Sequence, residues 1–424
     1  MNSEVTSVDQ GHLRRALELA ERGRGRVSPN PLVGAVVVRD GLVIGEGFHA
    51  ELGGLHAERA ALADCRERGE DPAGATMYVT LEPCAHQGRQ PPCVEAVLEA
   101  GIARVVIASE DPSEKASGRG PGILRDGGVE VVFAAGAEAA AARLLNQPFR
   151  KHARTGLPLV MLKLAMSLDG QTTTAPGDSP WISGELSRAL VHRWRAESDA
   201  IAAGIGTVLT DDPLLTARPE DSESGSPLGR IAPQRTAARM MRQPLRVIFD
   251  SQARLPLSSQ LLATLDQSPV LVVTASHVDP TRVSALENAG AEILSAAGAT
   301  APDRITAALT DLGRRNITSL FLEGGRTLAS AFRAADQLDE SRTFVAPMLL
   351  GSAGTAPRPG DPEREAENVN LARRPPSPER PVAALPLGQD PRAGALGPAR
   401  LSALHSSSEP VGEDVLITAR YKEW

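Results

Sequence analysis

The stretch "VGAVVVRDGLVIGEGF", residues 33–48, decides the fold class of the N-terminal half of the chain. Its two apolar runs flank Asp40-Gly41, a dipeptide that accepts the positive φ angles of a tight hairpin turn. The stretch therefore predicts a pair of antiparallel strands.

Helices and strands alternate on both sides of this hairpin. Before it, "HLRRALELAERG" spaces its leucines and alanines as an amphipathic helix. After it come a helix from His56, strands in "ATMYVTLEP", "ARVVIAS" and "GVEVVFAA", a helix in "PCVEAVLEAG" and a closing helix at 134–145. A hairpin followed by such alternation predicts a mixed sheet with helices on both faces, a three-layer α/β/α domain.

A second α/β domain is expected after "NQPFRKHARTGLP", which combines turn formers and charge. We place the first domain at 1–150 and the second at 157–424. Strands are expected in "LVMLKLAMS", "AIAAG", "RVIFDS", "VLVVTA", "SLFLEGG" and "DVLITARY", and helices near 184–197, 279–289 and 327–335. Residues 352–400 hold ten prolines without apolar periodicity, which predicts a disordered insertion.

Bulk composition limits the possible partners. A chain of 424 residues favours two domains, and its net charge of −7 lacks the basic excess of a protein that binds extended nucleic acid. A small phosphorylated substrate needs only one or two local cations, so it stays compatible. The start "MNSEVTSVDQ" has no signal pattern and no apolar run reaches membrane length, so we expect a cytoplasmic protein without a membrane partner.

Three cysteines make a poor disulfide framework, so they are expected to be thiols or metal ligands. His56, Cys84 and Cys93 would give zinc three ligands and leave the fourth position open for water, as a hydrolytic site requires. Glu58 is then placed as the catalytic proton shuttle. If a helix begins here, its dipole favours an ionised Glu58. Cys65 fits no ligand position and is expected to pack in the core.

Taken separately, the His-x-Glu pair and the two cysteines each have another interpretation. A single His-x-Glu is common by chance, and two cytoplasmic cysteines are often buried thiols. Together, "HAE" and "PC…C" form the pattern of the zinc deaminases. The alternative of another class is a structural zinc in a regulatory or nucleic-acid-binding module, which needs four ligands where the sequence offers three.

Eight residues separate the cysteines of "PCAHQGRQPPC". With "SPNPLVGAVVV", "HAERAAL", "YVTLEPC" and "GRG", this segment resembles the deaminase half of the bifunctional RibD family of bacterial riboflavin biosynthesis. The resemblance covers about residues 10–135 and implies a cytidine-deaminase-like fold. It also implies hydrolytic deamination of 2,5-diamino-6-(5-phosphoribosylamino)pyrimidin-4(3H)-one to 5-amino-6-(5-phosphoribosylamino)uracil.

The same resemblance implies that Asn30, His86 and Arg89 bind substrate, the last two at its phosphate. A turn between prolines would explain Asn30 equally well, and a solvated loop charge would explain Arg89. Ser113 stands in "DPSEKASGRG" where the family has Asn, so a substrate contact at that position stays open.

The second half has no Gly-x-Gly-x-x-Gly after its first strand, so a Rossmann site is poorly supported. Instead, "LKLAMSLDGQTTT", "GDSPWISG", "RWRAESDAIAAGIGTVLTDDPLLTAR", "PLRVIFDSQARLP" and "FLEGGRTLASAF" resemble the reductase half of the same family. This resemblance covers about 157–350, resumes at "VGEDVLITARY", and implies a dihydrofolate-reductase-like α/β fold. The glycines of "GIGT" and "EGGRTL" end apolar runs, where freed N–H groups can bind cofactor phosphates, although strand-to-helix turns often contain glycine anyway.

The implied reaction is NADPH-dependent reduction of the ribose to a ribityl chain. The positions that match family cofactor contacts are Ala165, Trp181, Thr207, Asp211, Ser251, Gly325, Arg326, Thr327, Leu328, Ala329, Ser330 and Ala331. Those that match substrate contacts are Ser179, Arg195, Leu215, Arg218 and Glu323, the arginines at the phosphate, and Lys163 is expected near the ribose.

The leading hypothesis is a bifunctional enzyme with one zinc per deaminase domain, NADPH, a small phosphorylated pyrimidine as substrate, and homo-oligomers (dimer or tetramer) as in the family. The alternative is an active deaminase with a degenerate reductase half. It arises because departures cluster late, at "LDESRTFVAPMLLG" and the proline-rich insertion.

Overall fold

The computed structural model describes residues 5–88, 90–114, 116, 118–173, 181–218, 242–351 and 401–424. Its N-terminal domain contains, in order, α1 (Ser7–Glu21), β1 (Gly34–Arg39), β2 (Leu42–Phe48), α2 (Ala57–Glu67), β3 (Thr76–Val79), α3 (Cys93–Glu99), β4 (Arg104–Ile107), α4 (Arg119–Asp126), β5 (Glu130–Phe133) and α5 (Ala137–Leu145). The sequence predicts every element of this order except α4, whose segment "RGPGILRD" holds two glycines and a proline.

The predicted hairpin is confirmed. Asp40 and Gly41 turn the chain with φ angles of 53° and 79°, and β1 and β2 pair antiparallel on either side. β1 also pairs antiparallel with β3, while β3, β4 and β5 are parallel. The sheet order among the described strands is β2-β1-β3-β4-β5, so the sheet is mixed as predicted.

Helices cover both faces of this sheet. On β1, Ala35 and Val37 pack in a cluster with residues of α2, α3 and α4, whereas Val36 and Val38 pack against α1 and α5. Because side chains alternate along a strand, β1 is buried on both sides. The three-layer α/β/α prediction is confirmed.

Two glycines of β2 let helix α2 lie almost on the strand. A Cβ atom added at Gly45 would lie 2.5 Å from the carbonyl oxygen of Ala61, and one at Gly47 would lie 2.6 Å from that of Ala57. Any side chain there would push the helix away. The close approach fixes where α2 begins, and Cys65 on this helix is fully buried, as expected of a core residue.

The predicted turn-rich boundary is wrong as local structure, because residues 147–155 form a helix, α6 (Gln147–Thr155). Its buried side chains are polar or charged, which is why apolar periodicity does not reveal it. Lys151 Nζ lies 2.6 Å from Asp339 Oδ2, with both side chains about 1% exposed. Arg150 bonds Glu110 Oε1 at 2.6 Å and donates from Nε to the carbonyl oxygen of Trp424 at 2.5 Å. The helix is therefore held to both domains by ion pairs and hydrogen bonds.

The C-terminal domain contains the remaining described elements: β6 (Leu159–Ser167), α7 (Glu185–Glu197), β7 (Ala200–Gly204), α8 (Ile205–Asp211), β8 (Leu245–Phe249), α9 (Gln260–Ala263), β9 (Val270–Ala275), α10 (Pro280–Asn288), β10 (Glu292–Ala296), α11 (Ala301–Arg314), β11 (Ser319–Leu322), α12 (Arg326–Ala334), β12 (Glu340–Ala346), β13 (His405–Val411) and β14 (Asp414–Arg420). The five predicted internal strands, the last strand and the three predicted helices are all present.

These strands form a sheet of order β10-β9-β8-β7-β11-β6-β12-β14-β13, counted over the described ranges. The pairs from β10 to β12 are parallel, and β14 pairs antiparallel with β12 and β13. Helices α7 to α10 contribute to the apolar cluster on one face, with Ile201 and Ala203, and α11 and α12 to the cluster on the other, with Ala200 and Ala202. The C-terminal domain is thus α/β with both faces covered.

Two further expectations concern a membrane span and the proline-rich insertion. No described helix combines the length and apolar character needed to cross a membrane. The proline-rich insertion at 352–400, predicted to be disordered, lies outside the described residues.

Candidate active sites

The predicted zinc ligands and Glu58 meet where two helices begin. His56 is the N-terminal cap of α2, Glu58 lies in that helix's first turn, and Cys93 is the first residue of α3. Cys84 lies in the loop that follows β3. The short distance between β2 and α2 brings the first helix start to this loop.

The ligand atoms lie at distances that suit one zinc ion. His56 Nδ1 is 3.5 Å from Cys84 Sγ and 3.3 Å from Cys93 Sγ, and all three ligand atoms lie within 4.8 Å of one another. A tetrahedral zinc with ordinary bond lengths separates its nitrogen and sulfur ligands by about 3.5 Å. The three residues fit the ion, and they are the one such group in the described part of the chain.

The protonation states in this cluster also favour a metal. Hydrogen bonds from Cys93, including its backbone N–H at 3.4 Å, lower the pKa of Cys84 to about 4. The Cys84 hydrogen bond in turn raises the pKa of His56. A thiolate is therefore present near neutral pH, and thiolate is the form of cysteine that binds zinc.

Glu58 is 4% exposed, and its burial raises the pKa of its carboxyl to about 7, with the Cys84 charge adding to the rise. The backbone N–H groups at the helix start favour an ionised Glu58, as expected, but desolvation outweighs their effect on its pKa. A carboxyl with a pKa near 7 both accepts and releases a proton readily at neutral pH. That is the property a proton shuttle needs.

Asn30 is held beside this cluster by His49, a residue that the sequence analysis missed. Asn30 Nδ2 donates to His49 Nε2 at 3.1 Å, and His49 Nδ1 donates to the carbonyl oxygen of Leu55 at 2.9 Å. Burial lowers the pKa of His49, which keeps the ring neutral, and the ring meets that of His56 edge-on at 5.4 Å. This hydrogen bond uses the side-chain amide N–H of Asn30, so the side-chain oxygen Oδ1 can accept a hydrogen bond from a ligand.

His86 lies on the cysteine loop with its Nδ1 atom buried and without a hydrogen-bond partner among the described residues. Leaving such an atom buried without a hydrogen bond costs free energy unless a ligand provides one, which supports the predicted substrate contact.

The loop after β4 holds Ser113, whose backbone N–H donates to Asp111 Oδ1 at 2.8 Å. Burial raises the pKa of Asp111, which faces His86 and was not singled out from the sequence. Arg89 lies outside the described residues.

A second group of charged residues meets on the α7 face of the C-terminal sheet. Glu323 follows β11. Its carboxylate accepts hydrogen bonds from Arg195 Nε, at 2.5 Å, and from Arg195 Nη2, at 2.9 Å. Although burial opposes ionisation, Arg195 and Lys163 hold the pKa of Glu323 below its ordinary value. Burial lowers the pKa of Lys163 on β6. Two cations and one carboxylate thus share a largely desolvated position.

The loop 212–218 closes over this group. Arg195 Nη1 donates to the carbonyl oxygen of Thr216 at 3.1 Å, so a phosphate contact at Arg195 would replace one of its present bonds. Leu215 is 3% exposed with a φ of 50°. Arg218 bonds Thr216 Oγ1, and burial together with Arg195 lowers its pKa. A cation disfavoured in this way is stabilised by a bound anion. Ser179, also predicted here, lies outside the described residues.

The predicted cofactor residues fall at the carboxyl ends of neighbouring strands. Gly325 caps α12, and among the described residues no side chain caps this helix and no atom lies within 4 Å of a Cβ added at Gly325. The first N–H groups of α12 are thus accessible, as phosphate binding requires. The other predicted positions of this turn form the first two turns of α12: Arg326, Thr327, Leu328, Ala329, Ser330 and Ala331.

The remaining cofactor positions flank this turn. Thr207 and Asp211 lie one turn apart on α8, which begins after β7. Ala165 is on β6, two residues after Lys163 and on the same face, and Ser251 follows β8. Trp181 is 61% exposed, and the guanidinium of Arg188 lies 5.1 Å from its ring. The residues present fit an extended cofactor that carries phosphates.

Comparison with known proteins gives consistent matches over both halves. Residues 6–109 match the cytidine and deoxycytidylate deaminase zinc-binding region, and residues 158–374 match the RibD C-terminal domain. The riboflavin biosynthesis protein RibD of Actinobacillus pleuropneumoniae is 38% identical over 350 residues, which cover 82% of this chain and 86% of that protein. For the Escherichia coli (strain K12) RibD the identity is 39%, covering 81% of this chain and 89% of the relative.

Solved structures agree. A structure of Acinetobacter baumannii RibD has a TM-score of 0.74 at 34% identity and covers 98% of this chain and 99% of its own. A Thermotoga maritima protein, described as a diaminohydroxyphosphoribosylaminopyrimidine deaminase and 5-amino-6-(5-phosphoribosylamino)uracil reductase, has a TM-score of 0.71 at 30% identity, with the same coverage.

Proposed function

The chain belongs to the RibD family of riboflavin biosynthesis, and we propose that its two sites act in turn on one small phosphorylated pyrimidine. It is a bifunctional deaminase and reductase with a zinc-binding deaminase domain and an NADPH-dependent reductase domain. The proposed reactions are those in the Thermotoga maritima protein's description, deamination of the diaminopyrimidinone and then reduction of the resulting uracil derivative. One observation carries the proposal: two separate groups of converging polar residues lie in the two domains.

In the first reaction, His56, Cys84 and Cys93 hold zinc, which when bound makes a water more acidic and so supplies the nucleophile. Glu58 takes a proton from the attacking water and delivers it to the ring nitrogen, and then moves the second proton from the added oxygen to the departing amine, which leaves as ammonia. The side-chain oxygen Oδ1 of Asn30, oriented by His49, accepts a hydrogen bond from the pyrimidine. His86 and Arg89 bind the phosphate, His86 through its buried Nδ1 atom.

In the second reaction, NADPH supplies the reducing equivalent. Lys163 and Glu323 would orient the ribose, and Ala165, on the same face of β6 as Lys163, would contact the cofactor. Arg218, whose positive charge is poorly compensated, binds the substrate phosphate, and Leu215 and Ser179 are the remaining proposed substrate contacts. Arg195 holds Glu323 and the loop 212–218 in place. The protein's main contribution is alignment of the two reactants.

The domain limits of 1–150 and 157–424, a cytoplasmic location, and assembly into homo-oligomers belong to the same proposal. The edge strand supports an oligomer. Six of the seven residues of β13 are exposed, and unpaired backbone groups on a sheet edge readily pair with a second copy of the chain. Light scattering of the purified protein would give a dimer or tetramer mass, and a monomer mass would contradict this part.

A coupled assay tests the whole proposal. Zinc-loaded protein is given the diaminopyrimidinone, with ammonia and NADPH followed separately, and then the deaminated intermediate with NADPH alone. Ammonia release followed by NADPH oxidation is expected. Ammonia without NADPH oxidation on either substrate would select the alternative of a degenerate reductase half. Absence of both signals would overturn the proposal in favour of a structural zinc module.

A further inference from the structure

Two loops bring polar residues to the proposed deaminase site. The first site loop, residues 27–33, lies between α1 and β1 and carries Asn30. The second site loop, residues 109–113, lies between β4 and α4 and carries Asp111, which faces His86. The proposed zinc ligands and proton shuttle lie on other elements, namely α2, α3 and the loop after β3. The position of the two site loops therefore depends on contacts of their own.

The first site loop is held from two directions. Thr318, the buried residue before β11 of the reductase half, donates from Oγ1 to Asp199 Oδ2 at 2.8 Å, so its oxygen accepts a hydrogen bond from Ser28 Oγ at 3.1 Å. Asn146, the N-terminal cap of α6, bonds both backbone groups of Leu32. The Leu32 N–H donates to Asn146 Oδ1 at 2.8 Å, and the Leu32 carbonyl oxygen accepts from Nδ2 at 2.9 Å. The loop is fixed by the reductase half and by the helix between the two halves.

The second site loop is held by one buried guanidinium group. Arg150 of α6 donates from Nη1 to Ser109 Oγ and to the carbonyl oxygen of Glu110, both at 3.1 Å, and from Nη2 to Glu110 Oε1 at 2.6 Å. Its Nε donates to the carbonyl oxygen of Trp424, which follows β14 of the reductase half. Because the guanidinium is planar and almost fully buried, it fixes the loop relative to the reductase half.

We propose that the reductase half positions both site loops of the deaminase half, and that Thr318 and Arg150 are positioning residues for deamination. The inference rests on the proposed deaminase site. A loop that is already ordered binds a ligand without losing conformational freedom, so each of these contacts lowers the cost of substrate binding. Because the zinc ligands and Glu58 are held separately, loosening the loops should raise the KM more than it lowers the kcat.

Thr318→Val tests the first contact from a residue of the other half. Thr318 and its neighbour Ser319 both donate a hydroxyl hydrogen bond to Asp199, but of these two side chains it is Thr318 that also contacts Ser28. Thr318→Val should raise the KM for the diaminopyrimidinone about twofold to tenfold, the value of one hydrogen bond. Ser319→Ala is the matched control and should leave that KM unchanged. The zinc content should stay the same in both variants.

Arg150→Gln should have the larger effect, because charge-assisted hydrogen bonds to the second site loop are lost. The KM for deamination is expected to rise about tenfold to hundredfold. Arg150→Lys keeps the charge and should show a smaller rise. Arg154→Gln is the matched control, since Arg154 is exposed on the same helix, 3.8 Å from the same Glu110 carboxylate, and such a surface pair contributes little. NADPH oxidation on the deaminated intermediate should persist in all these variants, which shows that the chain has folded.

Hydrogen exchange measured by mass spectrometry checks the positioning without turnover. Thr318→Val should speed exchange in the first site loop, and Arg150→Gln in the second. An unchanged KM or unchanged exchange in these two variants would overturn the inference, and so would equal effects of Thr318→Val and Ser319→Ala. Wild-type protein that releases no ammonia contradicts the proposed deamination, and the exchange comparison then still decides whether the reductase half holds the loops.

Discussion

The proposed deaminase site takes its metal ligands and proton shuttle from a short span of chain, residues 56–93, whereas the proposed reductase site draws on strands and loops from residue 163 to residue 323. The first is held by two helix starts that meet, and its chemistry needs a metal. The second is held by a buried ion pair and a pinned loop, and its chemistry needs alignment. Damage to the first should therefore abolish a reaction, and damage to the second should also weaken the fold.

Removal of zinc is expected to have the largest effect and to separate the two sites cleanly. A chelator should eliminate ammonia release, because zinc supplies the nucleophile, and added zinc should restore it. NADPH oxidation on the deaminated intermediate should continue at the untreated rate, since the proposed reductase residues include no zinc ligand. Loss of both reactions under chelation would mean that the sites are not independent.

Substitution of the proton shuttle comes next. Glu58→Gln should lower the deamination kcat by about 10²-fold to 10⁴-fold, the usual contribution of a positioned acid-base group. Metal analysis should still find one zinc per chain, because Glu58 is not a ligand. Glu67→Gln on the same helix is the control and should leave the rate unchanged. A loss of zinc in the Glu58 variant would instead indicate a structural role.

Glu323→Gln should damage the reductase half in both stability and rate. It leaves Arg195, which is 13% exposed, without its carboxylate, and breaking a buried pair in this way costs about 3 kcal/mol. Chemical denaturation should show a lower free energy of unfolding, and NADPH oxidation should fall while ammonia release persists. The exposed pair Arg315–Glu292 gives the contrast: Glu292→Gln should cost about 0.5 kcal/mol or less.

The smallest expected effect concerns acid sensitivity. Burial, with Arg195 and Arg218 nearby, lowers the pKa of His192 from 6.5 to about 4, although Glu323 opposes this. The unfolded chain thus binds the proton first, so stability is present above pH 6.5 and is lost as the pH falls towards 4. His192→Gln should reduce the loss between pH 6.5 and pH 5 by about 1 kcal/mol, measured as unfolding free energy. An unchanged slope would show that His192 is already solvated.

Much of the fold was readable from the sequence because its strands are apolar and short. The hairpin at Asp40-Gly41 and most of the parallel strands follow directly from apolar runs and turn residues, whereas the parallel strands β10 and β12 were not predicted. β13 was missed because both of its faces are exposed, so "HSSSEPV" has no apolar alternation. α11 was missed although Thr300 and Asp303 form a capping box, a signal that the sequence does contain.

Among the site residues too, some could be predicted from the sequence and others could not. The predicted zinc residues lie within one motif, and the structure brings them together at distances that suit the ion. His49 and Asp111 were missed because each is a single polar residue, and the predicted site residues they interact with, Asn30 and His86, lie elsewhere in the chain. The pairing of Arg195 with Glu323 was not foreseen either, since only the fold brings α7 against β11.

Helix α6 has a consequence for any attempt to obtain the two activities as separate proteins. A cut after Lys151 within this helix would leave Asp339, a buried carboxylate of the reductase half, without Lys151, and would take Arg150 away from Trp424. The reductase fragment would then carry Asp339 as an unneutralised buried charge. The two halves are therefore poorly separated within α6, although its composition suggests a domain boundary there. A recombinant reductase half should begin before residue 147.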